Sequence, residues 1–308
     1  MRKSLLLALV LLAAAPALRG QEGDALPFTR IDRNPVTSAL AGSGSASLGN
    51  TAYSAFSNAS ILPFYTGKMD AAVSTQYWAP SLSWSMHAGV GIAWKISPRL
   101  GLSAGYAWQG GPVSDELDAF GQPAGSFYPQ DHLAAVGLGI GLGERFSVGA
   151  NVRYALQKVT EKDRYAGFSG DLFAMYEPNG RLRLTAGVST LGPRLRASNG
   201  VFFRQPASVK AGAIWSVPFT DAHILSLTAD ADYYFSGKYS AAAGVEYAWN
   251  SIVFVRGGYR HASPGCVIPS HLGLGFGVNI FGFHLDISYL TASPSLGNTL
   301  SAGLGYRF

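Results

Sequence analysis

The feature that most constrains the fold is an alternation of apolar with small or polar residues that runs through most of the chain. Successive side chains of a β-strand point to opposite faces, so a period of two predicts strands. In residues 145–157, Phe146 and Val148 share one face, while Ser147 and Arg153 share the other. The first face carries almost no charge, whereas the second mixes charges with glycines. This contrast favours a barrel with hydrocarbon outside and a polar lumen inside over a soluble sandwich.

Fourteen such runs follow one another along the chain, at residues 68–79, 84–96, 99–110, 132–142, 145–158, 163–177, 181–191, 206–217, 223–235, 238–249, 252–262, 270–280, 283–291 and 298–308. An even number is typical of single-chain bacterial barrels and puts both ends of the wall on one side. The connections alternate between long and short. The long ones, predicted to be extracellular, include 111–131, 159–162, 192–205, 263–269 and 292–297. The sequence therefore predicts an all-β, transmembrane antiparallel β-barrel of about fourteen strands with a small N-terminal plug.

The N-terminus resembles an export signal. Arg2 and Lys3 precede an apolar stretch that is too short to span a membrane, and small residues precede Gln21 as a cleavage site. We therefore expect a signal peptide at residues 1–20, a plug segment at 21–66 and a barrel at 67–308. Export and the barrel pattern together predict the outer membrane, with lipid and lipopolysaccharide around the wall and both barrel ends in the periplasm.

Composition excludes several other classes. Charged residues make up 13% of the chain, about half the share of a soluble domain. Part of the basic excess, 23 against 18 acidic residues, lies in the leader, and no basic stripe remains to bind nucleic acid. The single cysteine, Cys266, excludes an internal disulfide framework. No histidine has metal-ligand spacing and no Ser/His/Asp set shares a face, so we expect neither a cofactor nor an enzyme.

Tryptophan favours membrane interfaces, and all six tryptophans fall at or beside a predicted strand end. Strand direction divides them into two girdles. The outer girdle is predicted to contain Trp78, Trp84 and Trp108, and the inner girdle Trp94, Trp215 and Trp249.

Residues 21–66 lack the alternation. Asn34-Pro35 predicts the start of a short helix, with Asn34 as its cap, and Gly42-Ser43-Gly44 predicts its end. Fourteen strands enclose a lumen too wide for wall side chains alone to fill. The segment is therefore expected to be a plug, for which the glycine-rich inner face leaves room.

Three stretches of this segment resemble a known family. They are FTRIDRNP at 28–35, SALAG at 38–42 and AYSAFSNA at 52–59, and they are similar to the start of the PorV/PorQ proteins of Bacteroidota, within the FadL-like barrel superfamily. The resemblance implies a fourteen-stranded barrel with an N-terminal plug. It also implies one of two roles, a transporter of hydrophobic compounds or a non-transporting partner subunit of type IX secretion or another outer-membrane complex. The plug motif consists of Arg30, Asp32, Arg33, Asn34 and Pro35.

Charged residues on the inward face form a second candidate set. They include Asp171, Asp230, Asp232, Glu246, Asp286, Arg153, Arg183 and Arg256. An unpaired charge in a confined lumen is costly, so we expect many of them to pair across the lumen or with the plug motif. The alternative is that they line water-filled space.

Five larger residues interrupt the small inward face and either line a lumen pocket or pack against the plug: Phe173, Met175, Ile214, Phe254 and Leu290. Gly257-Gly258 is the one hint of an opening in the wall. The lean loops and the plug favour a non-enzymatic partner subunit of an outer-membrane secretion or assembly complex, which implies other outer-membrane proteins as partners. The alternative is a FadL-like transporter of hydrophobic small molecules. An open diffusion porin would not need residues 21–66.

Overall fold

The structure, a computed structural model, describes residues 24–49, 51–78, 84–117, 120–160, 164–196 and 202–308. The predicted signal peptide lies outside the described residues. Within them, fourteen strands close into one antiparallel barrel, which confirms the predicted fold class. No described helix is long and apolar enough to cross a membrane.

The strands in chain order are β1 (Met69–Trp78), β2 (Ser85–Ser97), β3 (Leu100–Gly110), β4 (Ser114–Leu117), β5 (Pro123–Phe127), β6 (Gln130–Gly141), β7 (Phe146–Lys158), β8 (Arg164–Asn179), β9 (Leu182–Leu191), β10 (Leu195–Arg196), β11 (Phe202–Phe203), β12 (Ser208–Thr220), β13 (His223–Tyr234), β14 (Tyr239–Trp249), β15 (Val253–Ala262), β16 (His271–Ile280), β17 (Phe283–Thr291) and β18 (Thr299–Arg307). Two pairs, β4–β5 and β10–β11, form separate hairpins that the sequence did not predict. Each of the fourteen predicted runs coincides with one of the remaining strands.

Barrel strands pair with their neighbours in sequence order, and β1 pairs with β18 to close the ring, with Asp70 opposite Arg307. The connections differ at the two ends of the barrel. We call the end with the long connections, such as 111–129 and 192–207, the loop end. We call the other end, with turns such as 250–252 and 281–282, the turn end. The predicted asymmetry of connection lengths is confirmed.

The two faces of the wall differ as the alternation predicts. On β2, Val90 and Trp94 are exposed on the outer face, while His87 and Ala93 are buried on the inner face. Exposed apolar side chains cover the outer surface on all sides. Such an apolar surface is compatible with a hydrocarbon environment. The backbone is compatible with it too, because a closed sheet satisfies its own hydrogen bonds.

The girdle prediction is wrong for Trp78. Asp70 and Gln76 share its face of β1 and are buried, so strand parity turns Trp78 into the lumen. There its ring stacks on His87, with the ring centroids 5.6 Å apart. Trp84, Trp94, Trp215 and Trp249 do lie exposed on the outer surface.

Residues 24–49 and 51–66 lie inside the barrel. They form the helix α1 (Pro35–Ala39) and three 3₁₀ turns, Pro27–Arg30, Thr51–Phe56 and Ala59–Phe64. The Asn34 side chain accepts a hydrogen bond of 3.0 Å from the Val36 amide, which confirms the predicted cap and start of α1.

This segment, which we call the plug, runs the length of the lumen. The Ala25 amide donates to the Arg204 carbonyl at the loop end, at 2.8 Å. At the turn end the Lys95 amine of β2 donates to the Tyr65 carbonyl, at 2.6 Å. Glycines of the wall allow its backbone to approach closely. A Cβ atom added at Gly258 would lie 2.5 Å from the Leu40 carbonyl oxygen.

Candidate functional site

The plug and the wall line a cavity of about 150 Å³ in the loop-end half of the lumen. Its lining mixes aromatic, aliphatic and charged side chains. They include Arg30, Ile31, Asp32, Arg33, Tyr53 and Phe56 of the plug and Trp78, Arg153, Phe173, Ser189, Lys210, Asp232, Tyr234, Arg260, Ile268, His271 and Leu290 of the barrel.

An apolar cluster, the apolar cap, closes the loop end above this cavity. It consists of Leu26, Phe28 and Ile31 from the plug, Ala107, Leu133 and Ala155 from the wall, and Ile268 and Leu296 from the connections. Phe56, Trp78, Tyr165, Leu195 and Val267 pack against it. Because Ile31 and Ile268 also line the cavity, the apolar cap is its roof.

Asp232 on β13 holds the densest set of charges at the cavity. Its carboxylate lies 2.9 Å from the Arg30 guanidinium, 3.6 Å from that of Arg260 and 3.9 Å from the Lys210 amine. The Lys210 amine also lies 3.1 Å from Asp230. All three contacts of Asp232 are shielded from solvent, so one carboxylate fastens the plug to three strands of the wall.

A second set lies where β8 meets β9. The Asp171 carboxylate pairs with Arg153 and accepts hydrogen bonds from the Ser189 hydroxyl at 3.0 Å and the Thr190 amide at 2.7 Å. Thr190 has φ +58° and the register shifts beside it, so β9 is bulged at this point. Asp171 stabilises the bulge because it accepts a hydrogen bond from the Thr190 backbone amide, which has no partner in the β-ladder.

The other predicted charges pair away from the cavity. Arg256 lies 2.6 Å from both Glu246 and Asp286, and Arg183 lies 2.6 Å from Glu177. Thus the structure brings Asp230, Asp232, Asp171 and Arg153 to the cavity or its edge, and places Arg183, Glu246, Arg256 and Asp286 nearer the turn end.

Sequence reasoning missed Asp70. Its carboxylate is fully buried and accepts hydrogen bonds from the Thr51 hydroxyl at 2.9 Å and the Ala52 amide at 3.2 Å. It also lies 3.0 Å from Nε2 of His284. The available signal was its position on the inward face of β1, where an acid is as conspicuous as on β13.

The residues of the plug motif make contacts of different kinds. Arg30 reaches the wall, with Asp232 and the Tyr234 hydroxyl at 3.1 Å as partners. Asp32 instead accepts from the Asn34 amide at 3.0 Å and from the Thr37 hydroxyl, and its burial raises its pKa. Asn34 and Pro35 begin α1 and contribute no charge to the cavity.

The predicted pocket residues do not all meet. Phe173 and Leu290 line the cavity. Met175 and Ile214 are buried outside its lining, and the Phe254 ring lies 5.0 Å from the Arg256 guanidinium carbon. No group of metal-ligating side chains among the described residues is arranged to hold a metal ion.

Gly257 and Gly258 are paired on both sides, so the wall is continuous there. The discontinuity lies elsewhere. β9 ends at Leu191, opposite Gly170, and β12 begins at Ser208, opposite Ser189. The β8 edge from residue 164 to 169 therefore has no barrel strand beside it within the described residues. We call this gap between β8 and β12 the notch.

The described residues of the connection between β9 and β12, 192–196 and 202–207, cover the notch. The Gln205 side-chain amide donates to the Phe168 carbonyl at 2.8 Å, which satisfies one acceptor of the free β8 edge. Leu195 packs over Gly167, where an added Cβ would lie 2.9 Å from Cδ2 of Leu195. Ser189, at the base of the notch, also lines the cavity. The notch therefore lies directly beside the cavity.

No protein-family model matches the sequence, and no curated protein is significantly similar to it. Solved structures share the architecture. The Pseudomonas putida toluene transporter TodX aligns with a TM-score of 0.64 at 12% identity, over 89% of this chain and 98% of that one. The fold is that of the FadL-like barrels.

Two further structures agree. The Ralstonia pickettii toluene transporter TbuX aligns with a TM-score of 0.61 at 14% identity, over 89% of this chain and 97% of that one. A Pseudomonas aeruginosa FadL homologue aligns with a TM-score of 0.53 at 11% identity, over 89% and 98% of the two chains. At these identities the likeness establishes the FadL-like fold and leaves function to the site.

Proposed function

We propose that this protein is an outer-membrane channel for small hydrophobic molecules. The observation that carries the proposal is the cavity between plug and wall, which lies under the apolar cap and is lined in part by aromatic side chains. The plug contacts the wall at both ends of the lumen, which argues against free diffusion of hydrophilic solutes. The solved structures of similar fold include two toluene transporters, which supports a channel over a partner subunit.

The outer-membrane location is part of this proposal. The apolar outer surface, the exposed tryptophans and the long-and-short asymmetry of the connections support it. In this orientation the loop end faces the medium and the turn end faces the periplasm. The apolar cap then meets incoming molecules first.

The proposed route runs from the apolar cap into the cavity and out through the notch. Hydrophobic molecules gain from staying in contact with apolar surface, and Phe168 and Leu172 are exposed on the outer face beside the notch. Passage would require Leu195 and Gln205 to move away from β8. The main chain of the barrel would remain in place.

Filling the cavity tests the proposal. Leu290 lines the cavity, whereas the side chain of Tyr289, the preceding residue on β17, points outward. Because toluene crosses plain phospholipid unaided, the proteoliposomes carry lipopolysaccharide in the outer leaflet to slow that passage. Toluene uptake is then expected to exceed that of empty vesicles of the same lipids for the unchanged protein and for Tyr289→Trp. It should fall to the empty-vesicle level for Leu290→Trp, provided that variant shows the heat-modifiable mobility of a folded barrel. Equal uptake by both variants, or none by the unchanged protein, would contradict the channel.

A partner subunit of an outer-membrane complex is the second candidate. The observation that favours it is the plug itself, whose buried contacts with Asp70 and Asp232 fasten it to opposite parts of the wall. A PorV/PorQ-like role would belong to this candidate. Purification in mild detergent separates the two, because a stoichiometric large partner supports the subunit and a lone barrel with bound small molecules supports the channel.

A further inference from the structure

One buried cation of the cavity has no acid within ion-pair distance. Arg33 is 8% exposed, and its guanidinium donates to the Ile31 carbonyl. Among the described residues, no carboxylate oxygen lies within 4.0 Å of it. The other cations of the lining all have acids, which are Asp232 for Arg30 and Arg260, Asp230 for Lys210, and Asp171 for Arg153.

The nearest acids do not neutralise Arg33 by contact. Asp32 is turned towards the Asn34 amide and the Thr37 hydroxyl, and Asp131 acts only through its field. Burial lowers the pKa of Arg33 to about 10, so the guanidinium is still protonated at neutral pH. A buried charge that no opposite charge contacts is unfavourable. The cavity therefore offers a positive charge to an incoming anion.

The volume of the cavity and the side chains that line it restrict which class of anion can bind. The cavity measures about 150 Å³, and an engineered protein cavity of about that size holds benzene. Aromatic rings of Tyr53, Phe56, Trp78, Phe173 and Tyr234 line it. One ring fits this space, and rings favour offset or edge-to-face contact with other rings.

We propose that the cavity binds small aromatic carboxylates, with the ring among the aromatic side chains and the carboxylate on Arg33. This proposal rests on the proposed channel and names its substrate class. The planar guanidinium matches a carboxylate with two parallel hydrogen bonds. A neutral hydrocarbon would leave Arg33 without an anionic partner, an inorganic anion would make no use of the aromatic walls, and a long aliphatic acid would exceed the volume of the cavity.

Benzoate binding to the full chain in detergent tests the site, measured by equilibrium dialysis with toluene as the neutral probe. Arg33→Met removes the charge inside the cavity, and Arg99→Met removes one at the exposed turn end as a matched control. Arg33→Met should weaken benzoate binding by about tenfold or more, equal to about 1.4 kcal/mol. Arg99→Met should leave the binding of both benzoate and toluene unchanged, and Arg33→Met should weaken benzoate binding more than toluene binding. Equal benzoate affinity in the two variants, or no binding by the unchanged protein, overturns the proposal.

Two further measurements keep the test independent of folding and of transport. Arg33→Lys keeps the charge but loses the two-pronged geometry, so its benzoate affinity should fall between those of the unchanged protein and Arg33→Met. In crystals soaked with 4-bromobenzoate, the bromine should lie inside the cavity, and bromine found only elsewhere overturns the proposal. If benzoate binds but toluene does not cross vesicles, the channel fails and the site stands. If toluene crosses and benzoate does not bind, only this inference fails.

Discussion

The Arg30 guanidinium of the plug lies 2.9 Å from the Asp232 carboxylate on β13, although 202 residues separate them in the chain. The side chain of Asp232 is 1% exposed and that of Arg30 is 10% exposed. The pair joins the loop-end half of the plug to the wall and forms one side of the cavity. Its strength therefore bears on both the stability of the barrel and the closure of the lumen.

Replacing Asp232 should loosen the plug. Asp232→Asn leaves Arg30 and Arg260 buried without their acid, and breaking a buried pair in this way costs roughly 3–5 kcal/mol. We expect a lower free energy of unfolding in urea and a higher conductance in planar bilayers. Asp221→Asn, in an exposed turn before β13, is the control for charge and should change neither. Unchanged conductance and stability in Asp232→Asn would show that the pair does not hold the plug.

The glycine face of the wall makes a sharper test of plug packing. A Cβ at Gly258 would lie 2.5 Å from the Leu40 backbone, whereas one at Gly257 would meet nothing nearer than 3.8 Å. Gly258→Val should therefore displace α1, raise bilayer conductance and expose the plug to protease. Gly257→Val, on the adjacent outward position, should resemble the unchanged protein. The same conductance in the two variants would mean that the plug tolerates displacement from this strand.

The barrel could be predicted because each strand faces two different surroundings, and a period of two records that difference residue by residue. The hairpins β4–β5 and β10–β11 could not, since their strands have only two to five residues each, too few to show an alternation. Trp78 shows the limit of arguing from position along a strand. Its parity with Asp70 and Gln76 pointed inward, and parity decided its direction.

The sequence indicates which residues face the lumen, but it does not indicate which of them lie together around the cavity. Which charges meet depends on the path of the plug, and Arg30 reaches Asp232 because the described part of the plug begins at the loop end. The notch depends on the bulge at Thr190, a backbone feature whose side chain leaves no periodic signal. Arg33 was predicted to pair with wall acids, yet no described carboxylate contacts it, because the wall acids nearest the cavity already hold other cations.

The turn between β16 and β17 carries a residue in an unfavourable conformation. Phe281 has φ +52° and is 92% exposed, and Gly282 follows with φ +85°. A two-residue turn with both φ values positive favours Asn-Gly. Phe281→Asn should raise the free energy of unfolding by roughly 0.5–1 kcal/mol, measured in urea with lipid vesicles. Phe283→Asn, outward on β17, should lower it instead. A loss of stability in Phe281→Asn would show that the ring contributes contacts with the membrane interface that outweigh the turn.

The notch yields the most direct test of the proposed route. Leu195 packs over Gly167, so cysteines at these two positions should form a disulfide that fixes the covering connection to β8. Cys266→Ser removes the native thiol from the background. We expect toluene uptake into proteoliposomes to fall when Gly167→Cys/Leu195→Cys is oxidised and to recover on reduction, because the exit is blocked while the apolar cap and cavity are intact. Each single-cysteine variant, treated with the same oxidant, controls for damage by the reagent. If the oxidised double variant keeps full uptake while still binding toluene, molecules leave the cavity by another path, and the lumen beneath the plug becomes the route to examine.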